Sequence, residues 1–453
     1  MKRPLTLDTL AVGLAVFLLL AIGLVILIGG QLGIRSTADL PNNGLVGPYQ
    51  VITLTFSEEV DPSLTEKLWT LQPQVDGRID WPSPRTLRFT PSRPLQPDTD
   101  YQLTLRPGNV TPAGRQLKSS STWAFRVRAP LITVLRSADG VSAIWAVNLD
   151  GSDSHHLSSE SVKVICYDTA RSGDFLVYCA ANKQGGIDLW RVSRAGGDDM
   201  ILVNCGSDRC TVPAISPDGM RVAYTREVVG PSPDLPYGSP RTWMLDINNG
   251  QNSPVYEDQQ IIGYGPAWSP DGSRLVSFDG LSNQIRILNL TDQKQFIFSS
   301  MTGDAFTWSP DGNIFLFTDT KEGTDGLHTL VRRADLTVNK TDDLIGQNDK
   351  MDYSYGSLAW SPSGERVLLG MRTAVDKPGD SLWLFDPATL DGPTIVSEEE
   401  YTYNAPSWNP WGTALIFQQF KLRGEYAPEI GLWLDGEVQP RLLTEGLMPH
   451  WLP

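Results

Sequence analysis

The sequence predicts an all-β fold: an N-terminal transmembrane helix, then a β-sandwich, then a seven-bladed β-propeller closed by the C-terminal strand. Three observations carry this. One uncharged apolar run stands near the N-terminus, the next stretch of about 80 residues alternates apolar and polar positions in short segments, and a strand-turn-strand unit recurs from residue 130 to the end. Composition agrees, since only 20% of the 453 residues are charged while Gly (41), Pro (33) and Trp (14) are plentiful, a turn-rich β profile.

The first element is the apolar run. No charge falls between Thr9 and Ile34, and the centre reads LAVGLAVFLLLAIGLVILIGG from Leu10 to Gly30. A cleaved signal peptide, the alternative, has an apolar stretch of roughly 7–15 residues and a small-residue cleavage site, whereas this run is about 20 residues long and has neither an A-x-A site nor a lipobox cysteine. Lys2 and Arg3 precede it, so the positive-inside tendency keeps the N-terminus in the cytoplasm and places the rest outside. Residues 1–35 therefore read as a cytoplasmic tip and signal anchor of a single-pass cell-membrane protein. Residues 36–47, STADLPNNGLVG, read as a polar linker.

The charge balance limits the partners. With 37 basic against 52 acidic residues the net charge is −15, which repels phosphate backbones and excludes nucleic acid.

Segment 48–129 holds Val51–Phe56, Thr86–Thr90, Tyr101–Leu105 and Trp123–Val127, each alternating apolar with polar residues and separated by Pro, Gly and Asp turns. Several short strands at this spacing make a β-sandwich. The wording "LTFSEEVDP", "LRFTPSRPLQPDTDYQLTL" and "TPAGRQL…WAFRV" resembles the bacterial Ig-like domain of the SbsA type. That resemblance implies a spacer or interaction module of a cell-surface protein, with no chemistry of its own.

Segment 130–453 is built from copies of one unit. Tyr264–Phe278 (YGPAWSPDGSRLVSF) aligns with Ala305–Phe317, Ser357–Leu369, Pro213–Tyr224, Ala405–Phe417 and a degenerate copy, Tyr167–Tyr178. The turn glycines fall at 173, 219, 272, 312, 364 and 412. In Ser-Pro-Asp-Gly, Pro presets φ, Asp tolerates the next position and Gly takes the left-handed conformation that closes a bulged hairpin. A second strand pair follows each hairpin, for instance through Asp188–Val192, Thr242–Asp246 and Ser381–Phe385, and four strands per repeat make a propeller blade. The Trp before each turn is a packing residue between sheets. The repeat resembles the TolB-type propeller, a relative of the WD-type blade, whose members serve as receptors, scaffolds and enzyme appendages.

The tail completes the count. Pro449–Pro453 (PHWLP) aligns with Pro266–Pro270, a first strand without its turn, while Leu131–Leu135, Ala143–Val147 and Ser154–Leu157 read as a second, third and fourth strand without a first. The C-terminal strand is therefore expected to pair with 131–136 and leave no open edge.

Chemistry is scarce. There is no G-x-S-x-G, H-E-x-x-H, Walker loop or dinucleotide fingerprint, so no catalytic residue, metal ligand or cofactor is assigned, and the adjacent His155 and His156 read as exposed polar residues. Cys166, Cys179, Cys205 and Cys210 lie within 45 residues of one another and are disulfide candidates with three possible pairings; zinc ligation lacks the C-x2-C spacing. Strand alternation opens the long connections Val228–Pro240, Ile345–Gly356 and Ser397–Asn404 on one face. They bring Tyr353, Tyr355, Tyr401 and Tyr403 near an acidic run, a mixture suited to a protein, peptide or glycan. The leading functional expectation is thus a membrane-anchored extracytoplasmic binding or scaffold protein. The alternatives are a glycan hydrolase or lyase with residues converging at the channel mouth, and a structural component of envelope assembly.

Overall fold

The computed structural model describes residues 12–22, 33–41, 44–138, 140–159, 162–232, 234–303, 305–323, 326–346, 354–372 and 378–453, in two compact units, Met1–Arg128 and Ala129–Pro453. Residues 12–22 are helical, with Val12, Phe17 and Leu20 exposed. Among the described residues no helix is long and apolar enough to cross a membrane. The remainder of the expected span, Leu10, Ala11 and 23–30, lies outside the described residues.

The first unit contains two four-stranded sheets. One runs Ser36–Ala38, Ile52–Phe56, Thr86–Pro91, Gly77–Ser83; the other runs Gly44–Val46, Ser121–Val127, Asp100–Leu105, Trp69–Gln72. Alternation places Ile52, Leu54 and Phe56 of one sheet and Leu103, Leu105, Phe125 and Val127 of the other in a shared core, while Thr55, Gln102 and Asp100 face water. The stretch expected as a linker is a correction: Ser36–Ala38 pairs antiparallel with Ile52–Phe56, and Gly44–Val46 pairs parallel with Ser121–Val127. Buried Ile34 and Val46 supply the apolar anchors that fasten this polar segment to the sandwich.

The second unit repeats one four-stranded meander. Its sheets begin with Val164–Thr169, Arg209–Ile215, Tyr264–Trp268, Phe306–Trp308, Ser354–Trp360 and Tyr401–Trp408, each followed in order by its next three strands. Strand pairing between the first two of these sheets is limited to one parallel register pair, Ile187 with Arg209, and side-chain bonds such as Ile215 N to Asp168 add to it. A further sheet is composite, in the order Asp153–His156, Val141–Val147, Leu131–Ala138, Leu447–Leu452. The expected pairing of the tail is present, with Leu131 opposite Leu452, Ile132 opposite Trp451 and Thr133 opposite His450.

The turn works as its residues dictate. Ser269 Oγ donates to Asp271 Oδ1 at 2.6 Å and accepts from Arg274 N at 2.9 Å, while Gly272 takes φ +71°. Ser216 and Ser309 repeat the same bonds around Gly219 and Gly312, and Asn409 substitutes its amide oxygen around Gly412. The hydroxyl of Ser309 is the main reason the Asp311 carboxyl lies below its ordinary pKa.

In three copies the Trp of the repeat links its sheet to the one before it. The indole N–H of Trp268 donates to Ala214 O at 2.9 Å, that of Trp408 to Ala359 O at 3.2 Å, and that of Trp451 to Ser407 O at 2.9 Å. Trp451 thus makes toward the Tyr401–Trp408 strand the same link that the internal copies make between consecutive sheets. Trp360 departs from the pattern and donates to Gly364 O within its own turn. Arginines reinforce the stack: Arg221 lies 4.7 Å from the Trp268 ring, and Arg194 donates to both Leu452 O and Pro453 O.

The cysteines form two disulfides, Cys166–Cys179 and Cys205–Cys210. The first joins directly opposed residues of a hairpin, and the second closes a short loop whose Cys205 amide is held by Asp188 Oδ1 at 2.8 Å.

Candidate functional site

Two concave sites in the second unit hold polar groups. The first is a cleft of about 650 Å³ formed by Pro378–Ser381, Ser397–Glu400 and Lys421–Arg423 with Tyr426. These segments lie in or at the ends of the connections that follow Val367–Arg372, Thr394–Val396 and Ala414–Lys421, with Ser381 and Lys421 as the flanking strand residues. Alternation in an antiparallel meander brings those three connections to one edge of the sheets.

Backbone bonds fix the walls. Leu422 N donates to Glu400 O at 2.8 Å, Tyr401 N to Glu398 O at 3.2 Å, and Asp380 N to Thr402 Oγ1 at 3.1 Å. Gly379 packs so close to the Tyr401 carbonyl that a Cβ there would collide with it, which explains a glycine at that position. The rim carries exposed Glu398, Glu399 and Glu400, and Asp380 sits half-buried behind them. Burial raises the Asp380 carboxyl, against the pull of Arg372. Facing these acids, Lys421 Nζ lies 4.1 Å from the ring centre of Tyr426, whose side chain is exposed. Four carboxylates stand against the two cations Lys421 and Arg423, leaving an acidic cleft beside an exposed aromatic face.

The sequence-derived tyrosines fare unequally. Tyr353 lies outside the described residues. Tyr355 is half-buried against the core that holds Leu316, Val367 and Phe385. Tyr401 is half-buried, stacked on Tyr403 with ring centres 6.2 Å apart. Tyr403 is a correction: it is 1% exposed and meets Phe417 edge-on at 5.8 Å, so it is a core residue and offers no surface to a ligand. Burial, with the Glu398 charge adding to it, pushes its phenol up. Its place on a strand rather than in the loop is the reason, since Tyr401–Trp408 starts earlier than loop composition suggests.

Asp380, Lys421 and Tyr426 were missed. They flank gaps between strands whose lengths vary from repeat to repeat, and the KLRGEY stretch after an apolar strand was the available signal. The loop Val228–Pro240 contributes nothing to this cleft; Tyr237 instead donates to Ser207 O at 3.3 Å beneath the Arg209 guanidinium, 3.8 Å from its ring centre. His155 is also structural, its Nε2 lying 2.6 Å from Arg194 O. Among the described residues no group of three or more His, Cys, Asp or Glu could hold a metal ion.

The second site is a cavity of about 670 Å³ lined by residues of the strands Val164–Thr169, Arg209–Ile215, Tyr264–Trp268 and Leu447–Leu452. Its polar centre is Asp168 with His450, whose Nδ1 lies 3.8 Å from Asp168 Oδ1. Asp168 accepts from Ile215 N at 2.7 Å and Thr169 N at 2.9 Å, and the Tyr167 hydroxyl donates to Met448 O. Burial raises the Asp168 pKa to about 6 despite the two amides, and burial lowers that of His450 to about 4. Near neutral pH the pair is therefore a carboxylate beside a neutral imidazole, not an ion pair.

Residues 35–127 match the family model of the bacterial Ig-like domain. No curated protein matches the chain by sequence. Among solved structures it is similar to TolB from Acinetobacter baumannii (14% identity, 85% of this chain and 83% of that one, TM-score 0.42). It is also similar to a putative TolB from Agrobacterium tumefaciens (15% identity, 54% and 84%, TM-score 0.40). A third is the β-propeller domain of the trilobed protease from Pyrococcus furiosus (15% identity, 63% and 86%, TM-score 0.47). The chain carries a bacterial Ig-like domain at residues 35–127, and its neighbours in structure are TolB and other β-propeller proteins.

Proposed function

We propose that this is a membrane-anchored extracytoplasmic binding protein. Its uncharged N-terminal run spans the membrane, its Ig-like domain is a spacer, and its seven-bladed propeller, closed by the C-terminal strand, presents a ligand-binding loop face. The observation that carries the reading is the acidic cleft, in which Asp380 and Glu398–Glu400 surround Lys421 and the exposed ring of Tyr426. Carboxylates at the rim of a cleft, beside an aromatic platform, favour a polypeptide segment bearing Lys or Arg side chains, with Tyr426 available for cation–π and stacking contacts.

The test is a library of short Lys- and Arg-containing peptides screened by fluorescence anisotropy against the full chain in detergent. Binding by a subset, weakened about tenfold or more by the triple change Glu398→Gln, Glu399→Gln, Glu400→Gln and by raised salt, is expected. Binding indifferent to the triple change, or none at all, refutes the proposal.

A further inference from the structure

The cavity around Asp168 has a chemistry separate from that of the cleft. Asp168 presents its carboxylate to the cavity with 26% of the side chain exposed, and both of its protein donors are backbone amides. The titratable and charged side chains lining the cavity are Tyr167 and Asp168 from one strand, Arg171 from the following turn, and His450 from the C-terminal strand. Arg171 Nη1 is directed at Pro270 O, 3.0 Å away. Tyr167 spends its proton on Met448 O, and His450, near neutral pH, carries no charge to balance Asp168. The strands that contribute Val212–Ile215 and Pro266–Trp268 bring apolar side chains and no ionisable group.

A partly buried carboxylate without a counter-charge gains by pairing, and a cation that enters the cavity beside it supplies the partner. The geometry around it favours one kind of cation. Asp168 Oδ1 and His450 Nδ1 are 3.8 Å apart, close enough for one ammonium group to donate to both when the imidazole carries its proton on Nε2. The Tyr167 ring stands 4.8 Å from that of His450 and adds an aromatic face. Around them, Pro213, Pro217, Pro266, Pro270 and the side of Trp268 form apolar walls suited to an apolar body rather than a hydrated inorganic ion. We propose that this cavity is a binding site for an organic ammonium ion, its amine held between Asp168 and His450 and its apolar portion against the proline-lined wall.

The experiment uses the full chain in detergent and two probes of nearly equal shape, benzylamine and benzyl alcohol, followed by ligand-observed NMR titration. Benzylamine is expected to bind saturably and at least about tenfold more tightly than benzyl alcohol, with Asp168→Asn removing the difference. The unmodified chain supplies a second measurement. Asp168 must be ionised to pair with the amine, so lowering the pH from about 7 to about 5 should weaken benzylamine binding about tenfold and leave benzyl alcohol unchanged. The triple glutamine change in the cleft should leave benzylamine binding intact, which separates this site from the peptide site. Equal binding of the two probes, no saturable benzylamine binding, a flat pH profile, or loss of binding in the triple variant would each overturn the proposal.

Discussion

Replacing Tyr403 with alanine separates a core role from a binding role. The side chain is 1% exposed, packed among Leu415, Phe417 and Trp433 and against the half-buried ring of Tyr401. An aromatic ring so buried removes about 160 Å² or more of surface from water, which at about 25 cal/mol per Å² amounts to about 4 kcal/mol, within the range of about 3–5 kcal/mol for truncating a buried aromatic. Converted at about 2 °C or more per kcal/mol, Tyr403→Ala should lower the melting temperature by about 8 °C or more. Tyr403→Phe keeps the ring and loses the hydroxyl that meets the Glu398 backbone, so it should cost only about 1 kcal/mol. Differential scanning calorimetry of the full chain reads both. A loss below about 1 kcal/mol for the alanine variant, accompanied by loss of peptide binding, would refute the core assignment and return Tyr403 to the ligand surface.

Asp279 and Arg286 form a buried pair at 2.9 Å, their side chains 3% and 15% exposed, and Asp279 also accepts from Ser282 Oγ at 2.6 Å. Asp279→Ala strands the guanidinium and should cost about 3–5 kcal/mol in urea unfolding; a loss under about 1 kcal/mol contradicts the pairing. Burial opposes ionisation of Asp279, but the bonds from Ser282 and Arg286 prevail and hold its folded pKa below the unfolded 3.8. Its contribution is thus present above that unfolded value and lost as pH falls through the folded one. The stability gap between the parent and Asp279→Ala should accordingly narrow between about pH 5 and about pH 2, and a gap that widens contradicts the sign. For the disulfides, replacing both Cys166 and Cys179 by alanine should cost about 3 kcal/mol and replacing both Cys205 and Cys210 about 2 kcal/mol, because the first closes the longer loop. The reverse order in urea titrations would contradict that account.

Much of the architecture was legible because repetition multiplies weak signals. One Trp-Ser-Pro-Asp-Gly is a turn; its recurrence fixed where strands start, and the PHWLP segment identified its partner strand, Thr133 standing 317 residues before His450. The polar 36–47 segment was misread because strands of three residues at a sheet edge need only one buried side chain, such as Val46, too little for periodicity to register. The site was less legible. Asp380, Glu398–Glu400 and Lys421 come from three connections, and their meeting depends on how neighbouring sheets stack, a relation between distant segments that no local pattern encodes. Asp168 escaped notice for a related reason: it stands where the other repeats carry a small residue (Ala214, Ala267, Thr307, Ala359 and Ser407), in the copy that has lost its Trp and Pro.

The account rests most heavily on a propeller closed by its last strand. Leu447–Leu452 pairs with Leu131–Ala138, Trp451 and Leu452 are 5% and 0% exposed, and Thr169 Oγ1 donates to Trp451 O at 2.8 Å. Deleting residues 447–453 removes buried Trp451 and Leu452, together with Pro449, Pro453 and the strand pairing, at a cost of at least about 5 kcal/mol. Calorimetry of the truncated full-length chain should show the main transition lowered by about 10 °C or more, with Trp451→Ala giving a smaller shift in the same direction. A melting temperature unchanged by the deletion would contradict closure, and with it the loop face on which the proposed binding site depends.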